Sequence, residues 1–289
     1  MLDDRPTCGI AFDSEELLFA RGIQLGEKLT LTTGLRHEEW GGDWADIHDV
    51  LIHNDMVYLA STHHNAVVVV DPETGVERHR WAFSDMEDAW HLNCLGVVDG
   101  SVHFTAFGTF SETRGYKERS DGQGFMRGLD AAALPWVAGL SQPHSILATD
   151  DAVYLCNSEK YEVWRCSKSR APERVLNLGG YTRGLALRDG VLYVGLSASR
   201  NTPEDEAQTA AILVAVDVQT WREIARMPVP SMEVYGIVAL ADAESFGWWT
   251  ECILLGERER LMRALTSATK KLVEVTNENH RLKVAFGLP

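Results

Sequence analysis

Residues able to bind a metal, a proton or an anion recur at one position of a short motif that the sequence repeats six times. The motif is a variable residue, then a small or polar residue, then Ile, Leu or Val. The six copies are Cys8-Gly9-Ile10, His48-Asp49-Val50, Asn93-Cys94-Leu95, His144-Ser145-Ile146, Arg183-Gly184-Leu185 and Tyr235-Gly236-Ile237. If the copies surround one axis, the six variable side chains share one opening and could act together.

Three histidines and an aspartate of this set could hold a metal ion. His48 and His144 begin two of the motifs, and His91 and Asp46 each stand two residues before a motif. Imidazoles with a carboxylate are ligands that zinc or ferrous iron accepts, with a position left for water or substrate. The set predicts a divalent transition metal, Zn or Fe, as cofactor. In the alternative interpretation, each histidine only hydrogen-bonds to the backbone of a neighbouring strand.

Other residues at the same positions could bind and convert a substrate. Arg183 is a fixed cation suited to a carboxylate or a phosphate, and the Tyr181 hydroxyl could orient a carbonyl or donate a proton. Asp88 precedes His91 and could orient its ring. The predicted catalytic residues are His91, Tyr181 and Glu233, and the predicted substrate contacts are Arg183, Asn93, Tyr235 and Gln142. The ligand that fits these residues is small, polar and anionic.

The elements that would bring these residues together are the short strands of a β-propeller. Successive motifs begin 40, 45, 51, 39 and 52 residues apart, and a repeat of this length made of short strands is typical of that fold. In five copies, a second apolar run starts nine residues after the motif begins. We therefore predict an all-β, six-bladed β-propeller over residues 1–256, with one motif in the innermost strand of each blade.

The pleat of these innermost strands predicts a funnel. Side chains two residues apart in a strand share a side. The variable residue of each motif therefore shares its side with the residue two before it and with the Ile, Leu or Val two after it. This side is mostly polar at the first two positions and apolar at the third, which predicts a polar mouth above an apolar plug.

Blade two has the clearest pattern of four strands. They are predicted at Ile47–Ile52, Met56–Ser61, Ala66–Val70 and Val76–Phe83. Blade six is incomplete, and its predicted parts are Val234–Leu240, the pair Trp248-Trp249 and Cys252–Leu255.

Two insertions are predicted to be loops over one face, where binding residues tend to lie. They are Ser111–Gly128 and Ser199–Gln208. The turn His63-His64-Asn65 is predicted to be solvated instead.

Residues 257–289 predict a C-terminal α-helix, suited to a short coiled coil. Apolar residues and one Asn alternate four and three apart, at Leu261, Leu265, Ala268, Leu272, Val275, Asn279 and Leu282. Such a seam predicts self-association through the helix Leu261–Leu282, with Asn279 at an a position that fixes a two-stranded register. The alternative is a helix docked on the propeller.

Composition excludes several classes of partner and location. A net charge of −15 over 289 residues argues against nucleic acid or an anionic membrane as partner. No stretch approaches 18 apolar residues, and the acidic N-terminus has no apolar core of a signal peptide. The five cysteines form no CxxC pair, so we expect a reduced, cytoplasmic protein.

Three segments resemble a known family. They are Gly139-Leu140-Ser141-Gln142-Pro143-His144-Ser145, Gly180-Tyr181-Thr182-Arg183-Gly184-Leu185 and Val194-Gly195-Leu196-Ser197. They are similar to the G-L-S-x-P-H-S, G-Y-T-R-G-L and V-G-L-S segments of an uncharacterised bacterial β-propeller family, classed as a domain of unknown function. The resemblance covers blades four and five. It implies the fold and marks positions, but it implies no activity.

Two functions are consistent with the sequence. In the first, the protein is an enzyme of lyase, isomerase or hydrolase type, and its central funnel handles a small polar substrate with or without a metal. In the second, it is a non-catalytic scaffold that grips a protein partner with the propeller face and the inserted loops.

Overall fold

The protein is an all-β propeller of four-stranded sheets followed by one long helix. The computed structural model describes residues 7–13, 18–23, 28–33, 36–130, 134–167, 171–198, 210–240 and 243–286. The predicted insertion Ser199–Gln208 lies outside these residues. Within them, no helix is long and apolar enough to cross a membrane.

Each sheet is a meander of four consecutive antiparallel strands. The first contains β1 (Thr7–Asp13), β2 (Leu18–Ile23), β3 (Lys28–Thr33) and β4 (Arg36–Trp40). The second contains β5 (Ile47–His53), β6 (Met56–Ser61), β7 (Ala66–Val70) and β8 (Glu77–Ala82), which confirms the predicted strands to within one residue. The third contains β9 (Leu92–Val98), β10 (Ser101–Ala106), β11 (Gly124–Gly128) and β12 (Val137–Leu140).

The fourth and fifth sheets repeat this arrangement. The fourth contains β13 (Pro143–Ala148), β14 (Ala152–Asn157), β15 (Glu162–Ser167) and β16 (Pro172–Asn177), with a short 3-10 helix at Ser158–Lys160. The fifth contains β17 (Tyr181–Arg188), β18 (Val191–Ser197), β19 (Ile212–Asp217) and β20 (Arg222–Pro228), and helix α1 follows at Ala243–Phe286.

The sheets pack face to face around a shared axis. The first strand of each sheet contacts the first strand of the next, in the order β1, β5, β9, β13 and β17. A separate core of buried apolar side chains lies between each pair of consecutive sheets. Because both faces of the fourth sheet are covered by neighbouring sheets, its second strand, β14, is buried along its whole length.

The prediction of six blades is wrong, since the described residues form five four-stranded sheets. The sixth motif still lies between the fifth and first inner strands. A Cβ added to Gly184 would be 3.1 Å from Ile237, and one added to Gly236 would be 3.5 Å from Ile10. Residues 233–240 nevertheless form no strand. This copy has no second apolar run nine residues on, so it has no partner for a hairpin.

Helix α1 begins at Ala243 rather than at Glu257, and Cys252–Leu255 is helical rather than a strand of blade six. Its N-terminal part covers the first sheet. Trp249 packs edge-on against Phe19 with ring centroids 6.2 Å apart, and Ile253 joins the same buried cluster. Leu18 and Ala20 belong instead to the core shared with the second sheet, as expected for side chains that alternate across a strand.

A β-bulge at the motif interrupts the pairing of every inner strand. The register shifts at Thr7/Gly9, Ile47/Asp49, Leu92/Leu95, His144/Ile146 and Arg183/Leu185. A bulge bends the strand and re-aims its side chains, and bulges are common beside functional sites. The repeated motif is thus the sequence signal of a repeated bulge at the axis.

Three polar residues just before the motifs have left-handed backbones. Asp46, His91 and Gln142 have φ of 53°, 49° and 49°. This region is uncommon for residues other than glycine and carries a conformational cost. The same turn therefore leads into β5, β9 and β13.

The middle residue of the motif joins neighbouring inner strands. The Asp49 carboxylate accepts hydrogen bonds from the backbone N–H of Val50 at 2.9 Å and of Leu95 at 2.8 Å. The Ser145 hydroxyl accepts one from the Gly184 N–H at 3.0 Å. The bonds to Leu95 and Gly184 join first strands of neighbouring sheets, β5 to β9 and β13 to β17, and they help to fix the spacing of the residues around the axis.

Candidate functional site

A polar cavity of about 660 Å³ opens at the axis. We call it the central pocket. Eight of the ten predicted site residues line it, namely Asp46, His48, His91, His144, Tyr181, Arg183, Glu233 and Tyr235. The bulged inner strands therefore bring together residues that are up to 189 positions apart (235 − 46).

The other end of the axis is apolar. A second cavity of about 440 Å³ is lined by the third residue of all six motifs, Ile10, Val50, Leu95, Ile146, Leu185 and Ile237. The predicted apolar third positions are confirmed, but they line a cavity, together with Asp49 and Ser145, instead of forming a plug.

His91 is held by a buried carboxylate. Its Nδ1 lies 2.7 Å from Asp88 Oδ1. Asp88 Oδ2 also accepts hydrogen bonds from Arg114 Nε at 3.1 Å and from the Tyr116 hydroxyl at 3.0 Å. Burial alone would raise the pKa of Asp88, but the bonds from His91, Tyr116 and Arg114 outweigh it and lower that pKa. Asp88 is therefore ionised at neutral pH.

Burial lowers the pKa of His91 to about 4, with a further decrease from nearby His48, against the opposing effect of Asp88. The ring is therefore neutral at pH 7 and carries its proton on Nδ1, toward Asp88. His91 packs against Tyr116 and Phe107, with ring centroids 4.4 Å away in each case. These contacts fix the plane of the imidazole.

His48 lies beside His91 in a perpendicular arrangement, with ring centroids 4.9 Å apart. Its Nε2 is 3.2 Å from Asp46 Oδ1. This contact places the proton of a neutral His48 on Nε2. The other nitrogen, Nδ1, is buried without a hydrogen-bond partner among the described residues.

His144 is the most deeply buried of the three histidines, with 2% of its surface exposed. Its Nδ1 lies 2.9 Å from the Gln142 carbonyl oxygen and 2.8 Å from the Ser158 hydroxyl. Burial, with nearby Arg183 as the next cause, lowers the pKa of His144 well below its usual value. The neutral ring donates from Nδ1 and leaves Nε2 without a partner in the described part of the chain.

Arg183 contributes a positive charge to the wall of the central pocket. It is 8% exposed, and its Nη1 lies 3.3 Å from Glu233 Oε2. The guanidinium stacks over the Tyr235 ring at 4.1 Å from its centroid. Its Nε is buried and meets no acceptor among the described residues. A guanidinium keeps its charge when it is buried. The wall of the central pocket therefore has a fixed positive charge, and the Arg183 Nε–H is available to an acceptor.

Asn93 and Gln142 do not line the central pocket. Asn93 is 1% exposed and accepts a hydrogen bond from Cys94 Sγ at 3.2 Å. The Gln142 side chain accepts one from the Tyr181 hydroxyl at 2.7 Å and donates to Glu159 at 3.2 Å. Gln142 thus positions Tyr181 from behind.

Sequence reasoning missed three residues that the insertion Ser111–Gly128 contributes to the pocket. They are Arg114, Tyr116 and Lys117. The prediction of a loop is right for residues 111–123 and wrong for Gly124–Gly128, which form β11. The composition of the insertion could not show which side chains turn inward. His63 also lines the pocket, whereas its turn was predicted to be solvated. Its side chain is 40% exposed and lies 3.6 Å from Glu87.

The metal site predicted at His48, His91, His144 and Asp46 stays a prediction. Across the described ranges, no three His, Cys, Asp or Glu side chains are arranged to hold a metal ion. His48 Nε2 is already in contact with Asp46 at 3.2 Å, and the Phe107 ring packs against both His91 and His144. The four groups would have to move to share one ion.

A larger cavity of about 980 Å³ lies away from the axis, between the outer parts of the second and third sheets. It contains none of the ten predicted site residues. Its one arginine, Arg80, is already paired with Glu77 at 2.7 Å. We therefore place the candidate functional site in the central pocket.

Comparison with known proteins supports the fold and the resemblance. Residues 35–245 match the model of a family described as Domain of unknown function (DUF4915). None of the curated proteins matches the chain.

Several solved structures are similar at low sequence identity. A calcium-binding protein, regucalcin, from Agrobacterium tumefaciens strain C58 is 15% identical, with a TM-score of 0.59 over 81% of this chain and 79% of that one. A luciferin-regenerating enzyme is 10% identical, with a TM-score of 0.57 over 80% and 78%. A streptogramin B lyase is 12% identical, with a TM-score of 0.53 over 79% and 70%. At these identities, the likeness shows the fold alone.

Proposed function

The chain belongs to the DUF4915 family, and because that description names no activity, we propose a function from the central pocket itself. We propose that the pocket binds a small anionic molecule and moves a proton on it. Arg183 holds the anion, and His91 accepts the proton.

The observation that supports this proposal is the burial and incomplete hydrogen bonding of the Arg183 guanidinium. Its guanidinium is almost fully buried and has one carboxylate, Glu233, at 3.3 Å. Its Nε has no acceptor in the described residues. A buried donor without a partner costs about 1–3 kcal/mol. A ligand carboxylate or phosphate would satisfy this donor, and charge-assisted bonds of this kind are the strong ones.

His91 is suited to proton transfer because its ring is neutral and oriented. Its Nδ1–H is fixed on Asp88 at 2.7 Å, so the free nitrogen is Nε2. The low pKa of about 4 that burial causes makes it a weak base in the empty pocket. The negative charge of a bound anion favours the protonated ring and raises that pKa toward neutral. Binding would therefore activate the base.

Tyr181 lies on the same wall, but its one hydroxyl hydrogen is donated to Gln142, so the hydroxyl can serve a ligand as a proton donor only if that bond breaks. Burial raises the pKa of Tyr181, so its hydroxyl stays protonated. Lyase and isomerase reactions begin with proton abstraction by a group such as His91. We favour these classes over hydrolysis, since the described residues offer no three-ligand group that would hold a metal and activate water. The calcium named for regucalcin is not needed for this step.

Binding measurements on matched ligands and variants test the proposal. Ligand-observed NMR would compare carboxylates of two to six carbons with the amides of the same acids. We expect carboxylates to bind the wild type and Arg183→Lys to bind them at least about tenfold more weakly. The control Arg188→Lys changes an exposed arginine at the end of β17 and should bind as the wild type does. Equal binding of acids and amides would overturn the proposal.

Proton transfer is tested with a bound acid in D₂O. We expect the wild type to catalyse incorporation of deuterium next to the carboxylate, and His91→Gln to lose this exchange while still binding the acid. Exchange at the same rate in His91→Gln would contradict the role of His91.

A second proposal concerns helix α1, whose projecting part exposes large apolar side chains. Leu261, Met262, Leu265 and Val273 are 59%, 58%, 62% and 53% exposed. Leu261 and Leu265 belong to the predicted seam, while the side chains of Leu272, Val275, Asn279 and Leu282 lie outside the described set. Isolated helices gain most of their stability from packing an apolar face. We propose that a second copy of the chain covers this face.

A further inference from the structure

The three histidines of the central pocket have one feature in common. Each uses one ring nitrogen in a contact within the protein, and the other nitrogen is left to accept a hydrogen bond. The structural contacts are His48 Nε2 to Asp46 at 3.2 Å, His91 Nδ1 to Asp88 at 2.7 Å and His144 Nδ1 to the Gln142 carbonyl at 2.9 Å. A neutral imidazole has one donor and one acceptor, so the free nitrogens are His48 Nδ1, His91 Nε2 and His144 Nε2.

The tautomer of His144 follows from its partner. A carbonyl oxygen only accepts, so the Nδ1 that faces Gln142 carries the hydrogen. The adjacent Ser158 hydroxyl donates to the Thr182 carbonyl at 2.6 Å, so it too can only accept from Nδ1. Nε2 is consequently an acceptor, and it is buried with no donor in reach among the described residues.

Buried acceptors of this kind need donors. His48 Nδ1 and His144 Nε2 belong to residues that are 7% and 2% exposed and that line the central pocket. Nearly all buried polar atoms have a partner in a working protein. The anionic group of a ligand has only acceptors and cannot satisfy them. The part of the ligand beyond its anionic group must therefore carry donors.

The charges of the pocket indicate which donors fit. An ammonium group would require a carboxylate, and the three pocket carboxylates are already engaged. Asp46 contacts His48, Asp88 contacts His91, and Glu233 contacts Arg183. What remains is a ring nitrogen without a partner among the described residues on His48 and on His144, and a hydroxyl group is its natural partner.

We propose that the ligand of the central pocket is a polyhydroxylated carboxylic acid, of the sugar-acid class, whose hydroxyl groups bind His48 and His144 while Arg183 binds its carboxylate. This inference rests on the proposed function, because it assigns the anionic end to Arg183. It adds the chemistry of the rest of the molecule. A cavity of about 660 Å³ accommodates a six-carbon acid of this class, given the usual size of ligand pockets.

The test compares three probes with the full-length wild type by isothermal titration calorimetry. They are D-gluconate, hexanoate and sorbitol, which have six carbons each and differ in the carboxylate or the hydroxyls. Because each hydroxyl bond contributes a modest net amount, we expect gluconate to bind at least about tenfold more tightly than hexanoate. Sorbitol, which cannot engage Arg183, should bind more weakly than gluconate by a similar factor.

The outcomes separate this inference from the proposed function. If hexanoate binds as tightly as gluconate, the hydroxyl donors are wrong, while the anion site at Arg183 stands. If sorbitol binds as tightly as gluconate, the anion site itself is wrong. If 2-aminohexanoate binds more tightly than gluconate, an ammonium rather than hydroxyls meets the acceptors, and the inference fails.

A variant locates the effect. His144→Phe keeps a ring in place and removes the acceptor, so the preference for gluconate over hexanoate should fall by about threefold or more. Hexanoate binding reports whether the pocket survives the change. An unchanged preference with intact hexanoate binding would remove His144 from the proposed contacts.

Discussion

His91 Nδ1 lies 2.7 Å from Asp88 Oδ1, and the second oxygen of the same carboxylate holds Arg114 and Tyr116 of the inserted loop. One buried group thus joins the turn before β9 to the loop between β10 and β11. Orientation of the histidine and closure of this side of the pocket depend on the same carboxylate.

We expect Asp88→Asn to loosen the inserted loop. Arg114 and Tyr116 share one oxygen of Asp88 and His91 faces the other, so the amide nitrogen of Asn, which cannot accept, removes either both loop bonds or the His91 bond. In both orientations Arg114 loses its negatively charged partner. Hydrogen–deuterium exchange of residues 112–119 should become about tenfold faster, as expected for the loss of roughly one charge-assisted bond. Asp85→Asn changes an exposed carboxylate three residues before Asp88 and should leave exchange unaltered. Exchange as slow as in the wild type would show that the loop is held by other contacts.

Stability should fall on acidification because His91 is buried in its neutral form. Its pKa of about 4 in the folded protein lies below the value of about 6.5 in an unfolded chain. Between these values the unfolded chain binds a proton that the folded protein does not, so unfolding becomes easier as pH decreases. From pH 7 to pH 5, His91 alone contributes a loss of about 2 kcal/mol.

Asp49 acts in the opposite sense, since burial raises the pKa of its carboxyl to about 7 and its ionised form is disfavoured in the fold. The measurement is therefore a difference between variants. Urea denaturation at pH 7 and pH 5 should show a smaller loss in His91→Gln than in the wild type. The exposed His79 provides the control His79→Gln, which should lose as much as the wild type. Equal losses in all three proteins would contradict the burial of a neutral His91.

Gly9→Ala should strongly destabilise the propeller. A Cβ at this position would lie 2.6 Å from the Asp49 Cα and against the Val50 backbone nitrogen, and backbone atoms of the next inner strand cannot move aside cheaply. We expect a loss of about 3 kcal/mol in the free energy of unfolding. The matched change Gly247→Ala places a methyl group in open space within α1 and should stabilise by about 1 kcal/mol. Urea titrations of both variants measure the contrast, and a tolerated Gly9→Ala would disprove the close approach of β1 and β5.

Leu265→Glu should dissociate an oligomer without harming the propeller. Leu265 is 62% exposed in the single chain, so the substitution has no contact to remove unless a second copy covers it. Ser267→Glu introduces the same charge on the opposite side of the helix and serves as the control. Light scattering after size exclusion should report a dimer for the wild type and for Ser267→Glu, and a monomer for Leu265→Glu. A monomeric wild type would refute self-association.

The sequence predicted the position of the pocket residues better than the number of sheets. The alternation of side chains along a strand and the regular spacing of the motifs can both be read from short stretches of sequence. They correctly placed His48, His144 and Arg183 in the wall of one pocket. A sheet also needs strands to pair with, and the motif at Tyr235 has none. Counting motifs therefore overestimated the number of sheets by one.

Two further differences have the same physical origin in long-range contacts. Trp248-Trp249 was predicted to be part of blade six, yet Trp249 and Ile253 are four apart and face Phe19 from one side of a helix. Tyr116 and Arg114 could not be assigned to the pocket because their orientation depends on hydrogen bonds to Asp88, more than 25 residues earlier. Neither contact produces a periodic pattern of residues from which it could be predicted.

The junction between the fifth and first sheets is the weakest junction of the propeller, because it is formed by a segment that is not a four-stranded sheet. Four junctions contain a buried apolar core, whereas in the described part of the chain the segment at Gly236 and Ile237 joins β17 to β1 at the fifth. If the propeller opens under force, heat or proteolysis, we expect it to open first at this junction. The contact between Arg183 and Tyr235 would then be the first contact of the central pocket to be lost.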